Sequence, residues 1–322
     1  SAFINGAISN TGYQRVDYFQ YTPEEQVSDA FNYLGYTVKG GANYNINKNH
    51  NVFFNTGYFS RAPIFDVVFP NYNNIANAEA ANENIFGLEL GYGVRYSKVA
   101  ANLNLYRTNW LNKSLFQRFT DSTGADFTAN LSGLNALHQG IELDFNAQPV
   151  RGLTVRGMVS LGDWRWQNNV NALVADDDQV IIDTVRVYAD GLFVGDAAQT
   201  TASVGAAYTF PFGLSLDAQY WHGWNLYANF DPSTKTDAND AGRQALRLPD
   251  YGLLDLGLTY TIKLKATTLK LRFNMNNVLD TKYIAEANDF FDDSMSYEQQ
   301  LSNARGFFGF GRTWNVSLKF SF

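Results

Sequence analysis

Apolar and polar side chains alternate along much of this chain with a period of two residues. Between Phe86 and Tyr96 the even positions are large and apolar or aromatic, whereas the odd positions include Gly87, Glu89 and Arg95. A β-strand places alternate side chains on opposite faces, while a helix would scatter the same residues around its circumference. The pattern therefore predicts strands with one apolar and one polar face. It recurs most clearly at 254–262, 269–276 and 314–322.

Weaker copies of this alternation bring the prediction to about twelve strands. Besides an opening strand near Phe3–Tyr18, they lie at Val38–Ile46, Val52–Tyr58, Ala101–Leu105, Ile141–Phe145, Leu153–Leu161, Ala202–Phe210 and Leu214–Tyr220.

Short and long connections alternate between these strands. Short ones lie at Asn47–His50, Ser97–Ala100, Gln148–Gly152, Pro211–Gly213 and Leu264–Thr267. Long ones lie at Gln20–Asn32, Ala62–Asn82, Thr120–Ser132, Gln167–Asp196, Phe230–Leu248 and Thr281–Arg305. Short turns at one rim and long loops at the other are typical of bacterial outer-membrane barrels, with the turns on the periplasmic side. The sequence thus predicts an all-β, antiparallel transmembrane β-barrel wall.

The polar faces of the predicted strands carry charged residues, which argues against a soluble β-sandwich, because a sandwich must fill a shared core. We expect these residues to face a hydrated lumen, where they would tune a pore or hold a plug. Ion pairing between neighbouring strands is an equally good interpretation. The residues are Glu89, Arg95, Glu142, Asp144, Arg156, Lys270 and Arg272.

Composition supports a membrane barrel. Aromatic residues make up 16% of the chain and charged residues only 17%, below the quarter or so that is usual in globular domains. No run approaches the ~18 apolar residues of a spanning helix. Cysteine is absent and the net charge is −7, which excludes disulfides and argues against nucleic acid as a partner. Ser1–Asn5 does not resemble a signal peptide, so we expect a mature chain or part of a longer one.

Several short motifs resemble those of TonB-dependent outer-membrane receptors. They are Asn277–Ile284, with the sequence NVLDTKYI, followed by Gly309–Trp314, with the sequence GFGRTW, and a final strand ending in Phe322. The segments Gly35–Tyr44 and Asn51–Tyr58 look like the forms found in Bacteroidetes. The resemblance extends over essentially the whole chain.

The resemblance implies a barrel of 22 strands, filled by an N-terminal plug that couples import to TonB. Residues 1–322 would then be the C-terminal part of the barrel, without its plug and N-terminal strands. The implied cargo is a small nutrient, such as an iron chelate, vitamin, glycan or peptide. The other implied partners are outer-membrane lipid, the barrel-assembly machinery and a surface lipoprotein. No cofactor is implied.

Two groups of residues are candidates for recognition. The terminal strand resembles the signal read by the barrel-assembly machinery, and its last residue also serves as a lipid-facing aromatic; the residues are Trp314, Val316, Leu318, Phe320 and Phe322. Tryptophans near the long-loop rim could stack on a ligand ring; they are Trp164, Trp166, Trp221 and Trp224. Aromatics near strand ends fit interfacial girdles better than ligand contacts; they are Tyr58, Tyr96, Tyr208, Tyr220, Tyr260 and Trp314.

Metal binding and catalysis are the weaker interpretations. Acidic clusters at Asp176–Asp178, Asp237 with Asp240, and Asp289 with Asp292 and Asp293 match no defined calcium loop, so solvated loop charge is favoured. The histidines His50, His138 and His222 lie on separate strands or turns with no nucleophile or metal-ligand spacing nearby. We therefore predict neither a metal site nor an enzyme.

Three functions remain open at this point. The leading hypothesis is active nutrient import through a plugged barrel. A passive channel of about twelve strands would instead close the strand of Phe322 against the strand near Phe3. A surface adhesin would bind a partner through its loops without transport.

Overall fold

The computed structural model describes residues 1–70, 73–120, 126–175, 181–265 and 267–322. The strands are β1 (Ala2–Tyr13), β2 (Phe31–Asn45), β3 (His50–Arg61), β4 (Glu83–Arg95), β5 (Val99–Thr120), β6 (Asp126–Ala147), β7 (Leu153–Trp166), β8 (Val170–Ala175), β9 (Ile181–Val187), β10 (Thr200–Thr209), β11 (Leu214–Trp224), β12 (Leu226–Tyr227), β13 (Arg247–Leu248), β14 (Tyr251–Lys263), β15 (Thr268–Asn276), β16 (Ile284–Ala287), β17 (Gly306–Phe308) and β18 (Thr313–Ser321). The helices are α1 (Phe65–Val68), α2 (Tyr297–Asn303) and two 3-10 turns at Pro232–Lys235 and Ala238–Asp240. None of the helices in the described ranges is long and apolar enough to cross a membrane.

Twelve strands form one antiparallel meander in chain order, β1-β2-β3-β4-β5-β6-β7-β10-β11-β14-β15-β18. The predicted all-β, antiparallel architecture of about twelve strands is therefore confirmed. The remaining strands lie in the long connections: β8 pairs with β6 and β9, while β12–β13 and β16–β17 form separate two-stranded sheets. Five short turns alternate with long connections along the meander, as predicted, except between β5 and β6, where β5 ends at Thr120 and β6 begins at Asp126.

The register carries the apolar face continuously from strand to strand. Tyr92 pairs with Leu103, Leu103 with Leu143, and Leu143 with Val159. Residues that are directly paired lie on the same face of a sheet, so these side chains form one apolar band. Leu103 and Leu143 are 40% and 45% exposed, which means that the band is not a protein core. Such a surface suits lipid.

A row of polar residues on the same face marks the end of the apolar band at the long-loop side. Arg107 on β5 donates to Gln139 on β6 (3.2 Å), and Gln139 lies next to Asp163 on β7. Asp163 also pairs with Arg165 (2.7 Å). At the opposite, short-turn side, the His50 ring nitrogens contact the hydroxyls of Tyr92 (2.6 Å) and Tyr96 (3.0 Å).

The connection predicted at Thr120–Ser132 is largely strand, and this part of the prediction is wrong. β5 and β6 each contain 22 residues, twice the 9–11 or so that a tilted strand needs to cross a bilayer. Beyond the Arg107 row the hairpin is irregular, with register shifts between Trp110 and Leu115. Asn112 adopts a φ of 57° there. Once the hairpin has left the membrane its two faces need not differ, so the alternation that predicted the other strands fades.

The long connections on this side pack around their own small core. β8 and β9, which lie inside the predicted Gln167–Asp196 connection, extend the upper part of β6. Buried side chains from several connections and strand ends meet there. They include Leu131, Leu134, Trp166, Val170, Val187, Leu192 and Phe230. We call this assembly of connections above the Arg107 row the loop layer.

A buried ion pair joins two connections of the loop layer. Lys235 and Asp289 have side chains that are 0% and 2% exposed, and their charged atoms lie 3.4 Å apart. Asp289 also accepts from the Leu246 amide (2.7 Å), and Lys235 accepts from the Tyr188 amide through its carbonyl oxygen (2.8 Å). Burial lowers the pKa of Lys235, and the Asp289 carboxylate opposes that shift.

The sheet is an open wall. Within the described ranges β1 pairs with β2 alone and β18 with β15 alone, so the meander does not close on itself. Apolar side chains at both edges are strongly exposed, including Ile4 at 84% and Leu318 at 67%.

Candidate functional site

The charged residues predicted to face a lumen all lie on the face opposite the apolar band, as the register shows for Glu89, Arg95, Glu142, Asp144, Arg156, Lys270 and Arg272. That this face lines a lumen stays a prediction. Several of the polar contacts on it join a charge to a neutral amide. Glu89 accepts from Asn55 (2.9 Å), and Arg156 donates to Gln219 (2.7 Å).

One ion pair on the polar face spans three strands. Arg272 on β15 contacts Asp217 on β11 through two hydrogen bonds of 2.9 and 3.1 Å, passing over Gly257 on β14. A Cβ atom at Gly257 would lie 2.3 Å from the Asp217 carboxylate. Glycine at this position therefore permits the pair, and ion pairing is the observed role of Arg272.

A set of rings occupies the long-loop end of the polar face on β5, β6 and β7. His138 lies between Trp110 (6.2 Å between ring centroids) and Trp164 (5.5 Å). The Trp164 indole N–H donates to the Tyr106 hydroxyl (2.9 Å). Trp166 follows Trp164 by two residues on β7 and lies on the same face. It is level with Trp110, because both residues pair with Ala136 of β6. We call these five rings the aromatic ladder.

The four tryptophans expected near a ligand do not form one group. Trp164 and Trp166 belong to the aromatic ladder, and Trp221 lies on the same polar face against Tyr251 (5.3 Å). Trp224 lies three residues beyond Trp221 on β11, and an odd number of steps along a strand leads to the opposite face. It therefore lies beside His222, with 4.2 Å between the ring centroids.

Tyr106, Trp110 and His138 are ladder residues that were not predicted as ligand contacts from the sequence. His138 has no partner at motif spacing along the chain, but strand pairing brings Trp110 and Trp164 to it. The sequence did contain a signal for two of them. Trp110 and His138 have even numbers on strands whose apolar-face residues have odd numbers, which places both rings on the polar face.

A cavity of about 410 Å³ opens between the ladder and the loop layer. Trp110, Lys113, His138 and Trp166 line one side of it, and the connection around Phe230 lines the other. Trp166 is 5% exposed. Its Nε1 and the Nδ1 of His138 are buried without a hydrogen-bond partner among the described residues. Buried polar atoms are rarely left in this state, and the cavity beside them is the candidate site for a small molecule.

Lys113 and Asp231 give the wall of the cavity one charge of each sign. The Lys113 ammonium lies 5.2 Å from the centre of the Trp110 ring. Over the part of the chain that the structure describes, no carboxylate lies within ion-pair distance of it.

The two C-terminal motifs bind each other. The Asn277 side-chain amide donates to the carbonyls of Thr281 (2.9 Å) and Phe310 (3.2 Å). Asp280 accepts from the Arg312 amide (2.9 Å). Hydrogen bonding by Arg312, followed by Lys282, lowers the pKa of Asp280. We call this junction the C-terminal clamp.

The terminal strand displays the alternation predicted for it. Trp314, Val316, Leu318 and Phe320 pair with Met275, Phe273, Leu271 and Leu269 and share their apolar face. Phe322 follows the strand and is 97% exposed. Whether the assembly machinery reads this strand stays a prediction.

The acidic clusters have individual structural roles. Asp240 accepts from the Asp237 amide (3.0 Å) and pairs with Arg243, which closes a short 3-10 turn. Asp289 is buried and paired with Lys235, so solvated charge does not describe it. Asp176–Asp178 lie outside the described residues. Elsewhere in the described ranges, no group of three or more His, Asp or Glu residues is placed to hold a metal ion.

Comparisons with known proteins extend this picture. A family model described as "TonB dependent receptor-like, beta-barrel" matches residues 6–278. Among curated proteins, none matches the sequence.

Solved structures share the fold at low sequence identity. The siderophore receptor PiuA from Acinetobacter baumannii is 13% identical with a TM-score of 0.59, and the match covers 99% of this chain and 40% of that one. The copper transporter OprC is 13% identical with a TM-score of 0.64, covering 98% and 44%. The ferric yersiniabactin uptake receptor FyuA from Yersinia pestis is 12% identical with a TM-score of 0.55, covering 98% and 42%. The chain thus spans less than half the length of these three structures.

Proposed function

The chain belongs to the TonB-dependent receptor-like β-barrel family, and from that premise we propose that it forms the C-terminal wall of a receptor importing a nutrient. The family consists of receptors and transporters of the bacterial outer membrane rather than of enzymes. We place residues 1–322 in a barrel of 22 strands, in which further strands pair with β1 and β18. A plug that interacts with TonB fills the lumen.

The observation that carries this proposal is the combination of an open, two-faced wall with a built cavity at its long-loop rim. The apolar band supplies the lipid surface, and the opposite face supplies a polar lumen. The aromatic ladder and Lys113 supply recognition, and the loop layer supplies a cover for it. In this arrangement the long loops are extracellular and the short turns periplasmic.

The proposed mechanism is conformational. A nutrient from the proposed range of iron chelates, vitamins, glycans and peptides binds at the loop layer, and movement of the plug opens the lumen to it. No bond in the nutrient is made or broken. A surface lipoprotein could cover the loops, and the barrel-assembly machinery would insert the wall through β18.

Cells with and without the protein test import directly. We would follow the depletion of each component of a defined medium by mass spectrometry, before and after collapsing the proton gradient with an uncoupler. We expect at least one component to be depleted faster when the protein is present, and the difference to vanish with the uncoupler. Depletion that resists the uncoupler, together with steady conductance in a planar bilayer, would support a passive channel instead. Surface binding without depletion would support an adhesin.

A further inference from the structure

One connection above the cavity is built as a self-contained flap. It runs from Asp231 to Arg243, between β12 and β13, and we call it the flap. We propose that the flap opens to give molecules access to the cavity, and that the buried contact of Lys235 with Asp289 keeps its closed form only marginally stable. The proposal concerns access alone, so it holds whatever the cavity binds and whether or not the chain takes part in import.

The flap is held in shape by its own hydrogen bonds. Asp231 accepts from the Ser233 amide (2.9 Å) and caps the first 3-10 turn. At the other end, Arg243 contacts the Asp240 carboxylate (2.7 Å) and the Thr234 carbonyl oxygen. Compact surface loops of about 6–16 residues that pack on their own side chains are frequently functional. With these internal bonds the flap can keep its shape while it moves.

The flap closes the cavity on the side opposite the aromatic ladder. Asp231 and Pro232 line the cavity, so the first turn of the flap forms part of its wall. Phe230, just before the flap, and Ala245, just after it, are buried in the core of the loop layer. These two residues anchor the ends of the flap, and movement of the stretch between them would open the cavity.

Three polar contacts in the described ranges join the flap to other segments of the loop layer. The Lys235 carbonyl oxygen accepts from the Tyr188 amide (2.8 Å), and Lys235 Nζ lies 3.4 Å from the Asp289 carboxylate. The central carbon of the Arg243 guanidinium lies 3.4 Å from the centre of the Phe291 ring. Two of these contacts depend on Lys235, which makes this residue the main fastening of the flap.

The fastening is incompletely hydrogen-bonded. Lys235 Nζ, Asp289 Oδ2 and Arg243 Nη1 are buried without a hydrogen-bond partner among the described residues. Burying a pair of charges is costly unless good geometry and further hydrogen bonds repay the loss of water. All three atoms lie where the flap meets its neighbours, so opening the flap returns them to water. The closed form is therefore held less firmly than the number of its contacts suggests.

Cysteine labelling measures opening of the flap, because residues 1–322 contain no cysteine. Ala136→Cys places a thiol in the cavity wall, where Ala136 is 2% exposed. Ala172→Cys is the matched reporter, since Ala172 is also 2% exposed but lies outside the cavity lining. The full-length protein in detergent is treated with iodoacetamide, and mass spectrometry follows each modified peptide. We expect residue 136 to react and residue 172 to stay protected, because a local opening leaves the rest of the loop layer folded.

Two variants determine whether the fastening is weak. Lys235→Met leaves the Asp289 carboxylate buried without its cation, so labelling of residue 136 should become at least about tenfold faster. Adding Asp289→Asn removes the second charge and keeps an acceptor for the Leu246 amide. A neutral amide costs less to bury than a charge. The double variant should therefore close more firmly than the unaltered protein, and residue 136 should react several-fold more slowly.

A better bonded ion pair in the β1–β2 connection is the matched control. Asp17 pairs with Arg15 (2.9 Å) through one oxygen and accepts from the Phe19 amide (2.9 Å) through the other. Arg15→Met with Asp17→Asn should lower the protection of the Phe19 amide from hydrogen exchange. The double variant at the flap should instead raise the protection of the Tyr188 amide. Circular dichroism and the electrophoretic shift of folded barrels establish that each variant folds.

Three outcomes would overturn the proposal. Equal labelling of residues 136 and 172 would mean that the loop layer unfolds as a whole. A double variant that reacts faster than the unaltered protein would show that the contact of Lys235 with Asp289 is a net support of the closed flap. A folded Lys235→Met protein in which residue 136 never reacts would show that the flap does not open. Failure of cells to deplete any nutrient would defeat the import function and leave all three measurements valid.

Discussion

Two residues with left-handed backbone conformations hold the last long connection against the terminal strand. Asn277 and Asp280 have φ values of 48° and 53°, which asparagine and aspartate tolerate better than most residues. Their side chains then bind the backbone near Phe310 and Arg312. The motif that resembles the receptor family is, in this molecule, a structural junction.

Acid should release part of the C-terminal clamp. The Arg312 amide and Lys282 lower the pKa of Asp280 in the folded protein. The stabilisation is therefore complete above the unfolded pKa of about 3.9 and is lost as pH falls through the lower folded value. We expect the Arg312 amide to lose protection from hydrogen exchange as pH falls from the unfolded pKa of Asp280 through its lower folded pKa. The exchange rates are to be corrected for the intrinsic rate at each pH. Asp280→Asn keeps an acceptor but cannot titrate, so its protection should show no such step. Identical profiles for both proteins would contradict this explanation.

Single residues were predicted unevenly from sequence. Alternation was enough to place Glu89 and Arg272 on the polar face. It could not show that Arg272 meets Asp217 across Gly257, or that His138 lies among tryptophans, because both contacts depend on the register between strands. Alternation excludes a shift of one residue, which would reverse the faces, but a shift of two residues would keep the faces and still separate these partners.

At the scale of strands, the two faces should differ sharply in their tolerance of charge. Leu143 lies in the apolar band of β6, and its neighbour Glu142 lies on the polar face. Leu143→Arg should cost about 2–4 kcal/mol of unfolding free energy if Leu143 is near the bilayer midplane, whereas Glu142→Arg should cost little.

Urea unfolding in phosphatidylcholine vesicles, followed by tryptophan fluorescence, compares these two variants. The pair is matched because both place arginine on the same strand, one residue apart. Equal costs would mean that the apolar band does not face lipid.

The connections were harder to predict than the strands. Their positions followed from alternating lengths, but β8, β9 and the core around Leu131 and Leu192 did not. Inside the bilayer, lipid on one side enforces a strict period of two. Above it, packing between connections that are distant in sequence replaces that rule, so a local pattern carries less information.

At the scale of the whole molecule, the two unpaired edges of the sheet should decide whether the isolated chain stays monomeric. β1 and β18 leave strand edges that no other described residue covers, and unpaired backbone groups are costly in lipid. Expressed by itself, the chain of residues 1–322 should form aggregates or edge-to-edge oligomers in detergent. Light scattering and native mass spectrometry measure this. A monodisperse, folded monomer would show that β1 and β18 can close together, and would favour the passive channel.

The Lys235–Asp289 pair has a consequence for biogenesis. Tyr188, Lys235 and Asp289 lie in connections that follow β7, β11 and β15, so their junction requires strands from most of the second half of the wall. The cover of the cavity can therefore form only after these strands have assembled. If the import proposal holds, a polypeptide stalled before these strands assemble would lack the cover of its cavity, and assembly itself would decide which molecules can bind a nutrient.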